Sequence, residues 1–329
     1  MKKAIIVLCL FLLFGFSFGQ SRIRVDGNRF VNEDGETVIF QGVSIADPDK
    51  LVREERWQER LFAEAASWGA NIVRLPIHPR AWRERTPEKY LELVDQAIGW
   101  AKKHQLYLII DWHSIGNLKE GLFQHEMYRT SLQETKEFWR QIAEAYKDEP
   151  TVAFYELFNE PTVTGSMQGM TFPQWQAILD TLIQEIREID STKVLLVAGF
   201  NWAYDLTEFK DNFFTEPNIA YVSHPYPMKR EQPWEPKWEA DWGFVADQYP
   251  VILTEIGFCL KGEKGEHVPV ISTEAYGHAI TAYCEKKGIS WVAWVFDPDW
   301  APMLFSDWNF TPTTQGRFFK NYWQKRAAR

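Results

Sequence analysis

Short runs of β-branched and aromatic residues alternate along the chain with longer segments whose apolar positions recur at helical spacing. Eight runs predict strands, at residues 38–45, 71–77, 106–113, 152–161, 194–200, 219–226, 251–258 and 290–297. Helical segments are predicted at 56–68, 87–104, 133–147, 172–190, 238–248, 273–287 and 313–327, with little helical signal between the fifth and sixth strands. This alternation predicts an α/β fold, a single (β/α)8 TIM barrel, after a short N-terminal hairpin at "RIRVDGNRFVNEDG".

The first twenty residues do not fit this alternation. Lys2 and Lys3 precede an unbroken run of low polarity over residues 4–18, which is the layout of a secretory signal peptide. We therefore expect residues 1–20 to be removed and residues 21–329 to form the barrel. The mature protein is expected to be secreted, either extracellular or periplasmic, with no membrane association afterwards.

Charge and cysteine content narrow the classes of partner. Removal of residues 1–20 changes the formal net charge from −9 to −11, which argues against nucleic acid or an anionic membrane as a partner. A neutral polymer is compatible with this surface. Cys259 and Cys284 remain, too few for a disulfide framework or a metal-ligand set, and either one disulfide or two buried free thiols are possible.

Polar and aromatic residues recur at the carboxyl ends of six otherwise apolar strands, where the active site of a (β/α)8 barrel lies. They are Arg74 on the second strand, Asp111 and His113 on the third, Asn159 and Glu160 on the fourth, His224 and Tyr226 on the sixth, Glu255 on the seventh and Trp294 on the eighth. Each could be structural alone, but together they predict one site.

Two of these residues form a candidate catalytic pair. Glu160 and Glu255 end strands that lie three apart around the ring, so their side chains should face each other across the mouth. Two carboxyls flanking a pocket are what glycoside hydrolysis requires. Arg74 and Tyr226 near Glu255 would favour its ionised form and make it the nucleophile, whereas Glu160 is expected to have the raised pKa of a general acid.

The run "VAFYELFNEP" at residues 152–161 also carries a glutamate inside the strand. Glu156 shares strand parity with Glu160, so it should point into the barrel, with Arg74 as a partner. Adjacent residues on a regular strand face opposite sides. Asn159 and Glu160 can therefore both face the pocket only if the strand end is bulged or turning.

Six motifs, "NIVRLPI", "DWH", "YELFNEP", "SHPY", "TEIGF" and "WVAWVFD", occur in this order over about residues 25–325. In them the chain resembles glycoside hydrolase family 5 of clan A, which contains many secreted endo-β-1,4-glucanases. The resemblance implies retaining hydrolysis with Glu160 as acid/base and Glu255 as nucleophile, and no cofactor or metal. It further implies a set of supporting residues: Arg74 orienting Glu255, His113, Asn159, His224 and Tyr226 lining the site, and Trp294 stacking on the sugar at the −1 position.

Several alternatives remain at this stage. The substrate is expected to be a β-linked glucan polysaccharide or oligosaccharide, but β-mannan or another β-glycan fits the same motifs. Trp202, at the end of the fifth strand, is the candidate outer sugar platform, and a monomer is expected. Rivals from other classes are a metal-dependent barrel hydrolase using Asp111, His113, His224 and Glu255, and a non-catalytic glycan-binding barrel, which would be expected to lack one of the two glutamates.

Overall fold

The computed structural model of the protein describes residues 20–164 and 169–327, so the predicted signal peptide lies outside the described residues except for Gln20. Eight parallel strands form a closed barrel, as the sequence predicts, and β8 pairs with β1 to close it. The strands are β1 (Gln41–Ile45), β2 (Ile72–Ile77), β3 (Tyr107–Trp112), β4 (Val152–Glu156), β5 (Val194–Ala198), β6 (Ile219–Val222), β7 (Val251–Ile256) and β8 (Ser290–Phe296).

The predicted helices surround this barrel. Their bounds are Glu59–Trp68, Pro87–Lys103, Leu132–Tyr146, Phe172–Arg187, Glu235–Asp241, Glu274–Lys287 and Thr314–Ala327, with shorter helices at Pro48–Arg53 and Pro79–Arg85. The segment Phe200–Ala203 is a single turn that contains left-handed residues rather than a regular helix. The segment predicted as one helix over 238–248 is instead a helix followed by a 3₁₀ turn at Gly243–Asp247, because Trp242 leaves the helical region with φ −154°. Between β5 and β6, where helical signal is weak, the crossover consists of Phe200–Ala203 and a 3₁₀ turn at Thr207–Asp211.

The predicted N-terminal hairpin is present. Strand Arg24–Asp26 pairs antiparallel with Arg29–Val31 across a turn in which Gly27 has φ 60°. Phe30 of the hairpin packs edge-on against Phe40 and Phe154, with ring centroids 5.8 and 5.0 Å apart. The hairpin therefore covers the amino-terminal end of the barrel, opposite the predicted site.

The barrel interior changes from apolar to polar along the strands. A fully buried apolar layer includes Ile72, Ile109, Phe154, Val222 and Ile252. Inward-facing residues repeat every second position, and two residues further along the chain the same segments carry polar side chains. These are Arg74, Asp111, Glu156, His224 and Thr254, all with no exposed surface. The apolar layer thus forms the floor beneath a buried polar layer.

Two other expectations concern the whole chain. Cys259 and Cys284 are both free and buried, so they do not form the disulfide left open above. Within residues 20–164 and 169–327, no helix combines the length and the apolar character needed to cross a membrane.

Candidate active site

The end of β4 supplies Asn159 and Glu160 by leaving the barrel. The regular strand stops at Glu156, and Glu160–Pro161 form a separate short strand that pairs with Ile115–Asn117. The latter pairs antiparallel with Leu122–Phe123, so a three-stranded sheet stands beside the mouth. The backbone N–H groups of Asn159 and Glu160 bond to the β3 end and the loop after it, with N···O distances of 3.1 and 3.0 Å. This confirms that the strand turns before Asn159.

Arg74 is the centre of the buried polar layer. Its Nε and Nη2 donate to the two carboxylate oxygens of Glu156 at 2.7 and 3.0 Å, as the parity of β4 predicts. Nη1 donates to Glu255 Oε1 at 3.0 Å, and Nη2 also contacts Asn159 Oδ1 at 2.6 Å and Asp111 Oδ2 at 2.9 Å. One guanidinium thus fixes four side chains, and its geometry suits them because the fork donates in several directions within one plane.

Glu255 has the partners expected of it. Besides Arg74, the Tyr226 hydroxyl donates to Glu255 Oε2 at 2.8 Å. Burial raises the pKa of Glu255, whereas His224, Arg74 and the Tyr226 hydrogen bond act to lower it. The expected partners are therefore present, but they do not fully offset the loss of solvent around this carboxyl, which is 5% exposed.

His224 connects the two glutamates. Its Nδ1 lies 3.0 Å from Glu160 Oε1 and 3.8 Å from Glu255 Oε2, and its Nε2 lies 2.9 Å from the Thr254 hydroxyl oxygen. Burial opposes a charge on the ring, but Glu255, Glu156 and Glu160 outweigh it and raise the pKa of His224 to about 9. At neutral pH the imidazole is therefore cationic and sits between carboxylates.

The separation of the two candidate catalytic carboxyls is short. An oxygen of Glu160, an oxygen of Glu255 and a ring nitrogen of His224 all lie within 4.8 Å of one another. Retaining glycosidases hold their carboxyls about 5–5.5 Å apart, whereas inverting ones need about 6.5–9.5 Å to admit a water molecule. The close approach of one oxygen from each glutamate favours the retaining spacing over the inverting one.

The ligand set of the metal-dependent alternative is not brought together. Among the described residues, three at this site have ligand atoms close enough to share an ion, and they are Glu160, His224 and Glu255. Asp111 and His113 do not belong to this group. Both ring nitrogens of His224 already have protein partners. A metal at that position would have to displace a proton from His224.

Aromatic rings line the site on the β3 and β8 side. The rings of His113 and Trp294 are parallel, with centroids 5.4 Å apart, and Trp300 lies parallel to Trp294 at 6.0 Å. His113 Nδ1 is 2.6 Å from Asp111 Oδ2. Burial, with the positive charges of neighbouring Arg74 and His224, lowers the pKa of His113 well below its usual value, so this ring is neutral.

The site opens into a cleft of about 630 Å³. Trp202 lines it and is 38% exposed, with its Nε1 donating to Gln124 Oε1 at 3.2 Å and the Lys229 ammonium 4.9 Å from its ring centroid. Asn201, Trp202 and Ala203 have φ of 59°, 55° and 56°, a left-handed conformation that is strained for such residues. This strained turn after β5 presents the indole to the cleft.

All ten site residues predicted from the sequence lie in or directly beneath this cleft. The cleft is lined by His113, Asn159, Glu160, Trp202, Tyr226, Glu255 and Trp294, and Arg74, Asp111 and His224 lie below it. The amide nitrogen of Asn159 is buried and has no protein partner, which leaves it free to donate to a ligand.

Other residues of the site were missed in the sequence. Tyr128 and Met228 line the cleft from short 3₁₀ turns and Val268 lines it from a loop, and segments this short have no periodic pattern to reveal them. Thr254 is different, because alternation along β7 from the buried Ile252 could have placed it in the interior. A register irregularity between Leu253 and Ile256 allows the adjacent Glu255 to contact the same group of residues.

Comparison with known proteins agrees with this geometry. Residues 31–299 match the model of the family described as Cellulase (glycosyl hydrolase family 5). The chain belongs to glycosyl hydrolase family 5. This family 5 chain is also 46% identical to a β-glucanase from Saccharophagus degradans whose crystal structure contains cellotetraose, with a TM-score of 0.91 over 93% of this chain and 94% of that one.

More distant relatives of this family 5 chain are endoglucanases. It is 23% identical to endoglucanase N of Pectobacterium atrosepticum, over 84% of this chain and 57% of the relative. Endoglucanase A of Butyrivibrio fibrisolvens is 26% identical over 62% of this chain and 45% of the relative. The chain thus spans about half the length of these curated relatives. The catalytic domain of endoglucanase Cel5A of Thermobifida fusca, at 21% identity and a TM-score of 0.73 over 92% of this chain and 97% of that domain, shares the fold.

Proposed function

We propose that the protein hydrolyses internal β-1,4-glycosidic bonds of β-glucan with retention of configuration, as an endo-β-1,4-glucanase. The observation that carries the proposal is the approach of Glu160 and Glu255, whose carboxylate oxygens come within 4.8 Å across the cleft. An approach this close is compatible with the spacing of a retaining pair and is shorter than the spacing by which inverting enzymes admit a water molecule.

The two glutamates have different surroundings, and these support different roles. Arg74 and the Tyr226 hydroxyl hold both oxygens of Glu255, which orients the carboxylate for attack on the anomeric carbon. Glu160 is bonded through one oxygen to His224 and lines the open cleft, so it can give a proton to the leaving oxygen. A covalent glycosyl-enzyme forms, and Glu160 then takes a proton from the water that releases the sugar.

Other residues bind the sugar in this proposal. The unpartnered Asn159 amide, in the cleft beside Glu160, is placed to donate to a sugar hydroxyl, and neutral His113 offers a further polar contact. Trp294 supplies the apolar ring under the reacting sugar and Trp202 a platform further out. A glucan substrate is supported by the β-glucanase and endoglucanase relatives, including the one solved with cellotetraose.

The test compares two polymers and a catalytic variant. We expect the release of reducing ends from soluble mixed-linkage β-glucan to exceed release from β-mannan, and Glu255→Gln to abolish both. Faster release from mannan would retain the mechanism and replace the substrate. If neither wild type nor Glu255→Gln releases more reducing ends than an enzyme-free blank on either polymer, the proposed function is refuted. If both proteins release them equally above that blank, Glu255 has no part in the mechanism.

A second variant separates the two carboxyls. General acid catalysis contributes about 10²- to 10⁴-fold, so Glu160→Ala should lose about that much on unactivated cellooligosaccharides. An aryl β-cellobioside with a dinitrophenyl leaving group needs little proton donation and should remain cleavable. Equal losses on both substrates would contradict the role given to Glu160.

We also propose that the protein is exported and acts outside the cytoplasm as a monomer. Support for export comes from the apolar run preceded by two lysines in residues 1–20. The formal net charge of −9 over the whole chain disfavours nucleic acid as a partner. Expression of the full chain should yield a shortened protein beginning near residue 21 in the extracellular or periplasmic fraction. Mass spectrometry gives the cleavage position, and size-exclusion chromatography with light scattering gives the mass in solution.

A further inference from the structure

Thr254 and Glu156 form a hydrogen-bonded pair next to the candidate catalytic residues without contacting the cleft. The Thr254 hydroxyl lies 2.7 Å from Glu156 Oε1 and 2.9 Å from His224 Nε2, and all three residues are fully buried. Glu156 is also held by Arg74 through both oxygens. Burial alone would raise the pKa of Glu156, but Arg74 and His224 outweigh it and lower it to about 2.

These contacts determine where the protons are. An ionised carboxylate can only accept hydrogen bonds, so the single hydroxyl proton of Thr254 points to Glu156. The hydroxyl oxygen must then accept from His224, which requires a proton on Nε2 whatever the charge of the ring. The 3.9 Å between Nε2 and Glu156 Oε1 is too long for a direct hydrogen bond, so the link runs through Thr254.

The other ring nitrogen is therefore the one that titrates. His224 Nδ1 lies 3.0 Å from Glu160 Oε1. A single proton on this hydrogen bond has two positions, giving either a carboxylic acid beside a neutral imidazole or a carboxylate beside an imidazolium. Both positions are compatible with a proton that stays on Nε2.

We propose that Thr254 and Glu156 are positioning residues that lock His224 in its Nε2–H tautomer, so that Nδ1 and Glu160 share the proton used in general acid catalysis. When Glu160 gives this proton to the leaving oxygen, the pair becomes a carboxylate with a neutral imidazole. The proton that Glu160 takes from water in the second step restores the pair. This inference rests on the proposed glycosidase function.

The other charged groups around His224 fit a shared proton. Glu160 and Glu255 face its Nδ1 and Glu156 faces its Nε2, whereas the neighbouring His113 ring is neutral. Three carboxyls thus favour a proton on this ring. Because Glu160 alone of these three carboxyls hydrogen-bonds to Nδ1, it is the carboxyl to which the proton can pass directly.

Thr254→Val tests the relay by removing the hydroxyl with little change of shape. Neutral His224 could then adopt the Nδ1–H tautomer, which donates to Glu160 and holds it as a carboxylate. We expect kcat/KM on cellotetraose to fall about 10- to 100-fold, and turnover of dinitrophenyl β-cellobioside to stay within about threefold. The basic limb of the pH profile of kcat/KM should move to lower pH by about one unit. Glu156 no longer stabilises the protonated ring through the Thr254 hydroxyl, so the ring loses its proton more easily.

Two variants serve as controls. Thr254→Ser keeps the hydroxyl and should restore both the rate on cellotetraose and the basic limb. Thr281→Val removes another buried threonine hydroxyl, which donates to the Gly277 carbonyl at 2.8 Å within helix Glu274–Lys287, and should leave both unchanged. Equal losses of Thr254→Val on both substrates with an unmoved basic limb, or no loss on either, would overturn the proposal.

A spectroscopic measurement on the wild-type protein does not depend on activity. In ¹⁵N-histidine-labelled wild-type protein, with His224 assigned by its loss in His224→Gln, Nε2 should carry a proton both below and above the titration of the ring. A neutral His224 protonated at Nδ1 instead would overturn the inference. If wild type cleaves neither glucan nor mannan, the proposed function fails, while this spectrum still decides the tautomer.

Discussion

Tyr226→Phe offers a quantitative test of how Glu255 is kept ionised. The Tyr226 hydroxyl donates to Glu255 Oε2 at 2.8 Å, and the two residues are 7% and 5% exposed. Burial and the adjacent Glu255 raise the pKa of Tyr226 well above its usual value, so it remains a neutral donor. Replacement by phenylalanine removes one donor and leaves Arg74 on the other oxygen.

The size of the effect follows from the charge on the acceptor. A hydrogen bond to a charged group contributes about 1.5–3 kcal/mol, and one pKa unit corresponds to about 1.4 kcal/mol, so the change amounts to about 1–2 units. The hydroxyl favours the ionised form, so its loss raises the pKa of Glu255 further. The acidic limb of kcat/KM should therefore move to higher pH by about 1–2 units.

The assay is a pH profile of kcat/KM with dinitrophenyl β-cellobioside, whose good leaving group removes the need for Glu160 as an acid. Above the limb we expect the plateau to fall less than about tenfold, since the lost donor also stabilised the carboxylate before attack. Tyr276→Phe is the matched control, because that hydroxyl donates to the Pro225 carbonyl at 2.7 Å and touches no carboxyl. An acidic limb of Tyr226→Phe that coincides with wild type would refute this reasoning.

Three further predictions concern stability, the cleft and metals. Arg74→Met should lower the free energy of unfolding by about 3–5 kcal/mol, because it leaves buried carboxyls without their cation, and Arg74→Lys should lower it less. Urea unfolding measures both variants, and equal losses of stability would contradict a role for the charge. Trp202→Ala should raise KM for cellooligosaccharides about 2- to 13-fold with kcat little changed, as expected for the loss of about 0.5–1.5 kcal/mol of ring contact. Trp202→Phe should change KM less, and an unchanged KM in Trp202→Ala would exclude a role for Trp202 as a sugar platform. Dialysis against EDTA should leave activity unchanged, and a loss restored by a divalent cation would contradict the two-glutamate mechanism.

The sequence predicts the barrel well because its strands are apolar runs separated by long helical periods. The short helices Pro48–Arg53 and Pro79–Arg85 were missed, since six or seven residues are too few to show helical periodicity. The helix expected over 238–248 was wrong in its extent, because the backbone break at Trp242 depends on local packing rather than on the apolar pattern.

Site residues could be predicted from the sequence where an ionisable side chain interrupts an otherwise apolar strand. Glu156 and Arg74 were paired correctly because β2 and β4 place them at inward positions of the same polar layer. The raised pKa of Glu255 was not foreseen, since its cause is the depth of burial, which only the assembled cleft shows. Thr254 went unnoticed because a threonine is also an ordinary strand residue, and only its two partners make it distinctive.

The two candidate catalytic glutamates are carried by separate sheets. Glu255 belongs to the barrel, whereas the backbone of Glu160 is paired with Ile115–Asn117 in the small three-stranded sheet beside the mouth. Mutations in the turn between Ile115–Asn117 and Leu122–Phe123 therefore act on the sheet that carries the proton donor, and they reach the nucleophile and its buried cation only through the side-chain contacts of His224 and Asn159. Natural selection or protein engineering could thus adjust which leaving groups are accepted while the bond-forming half of the reaction stays the same.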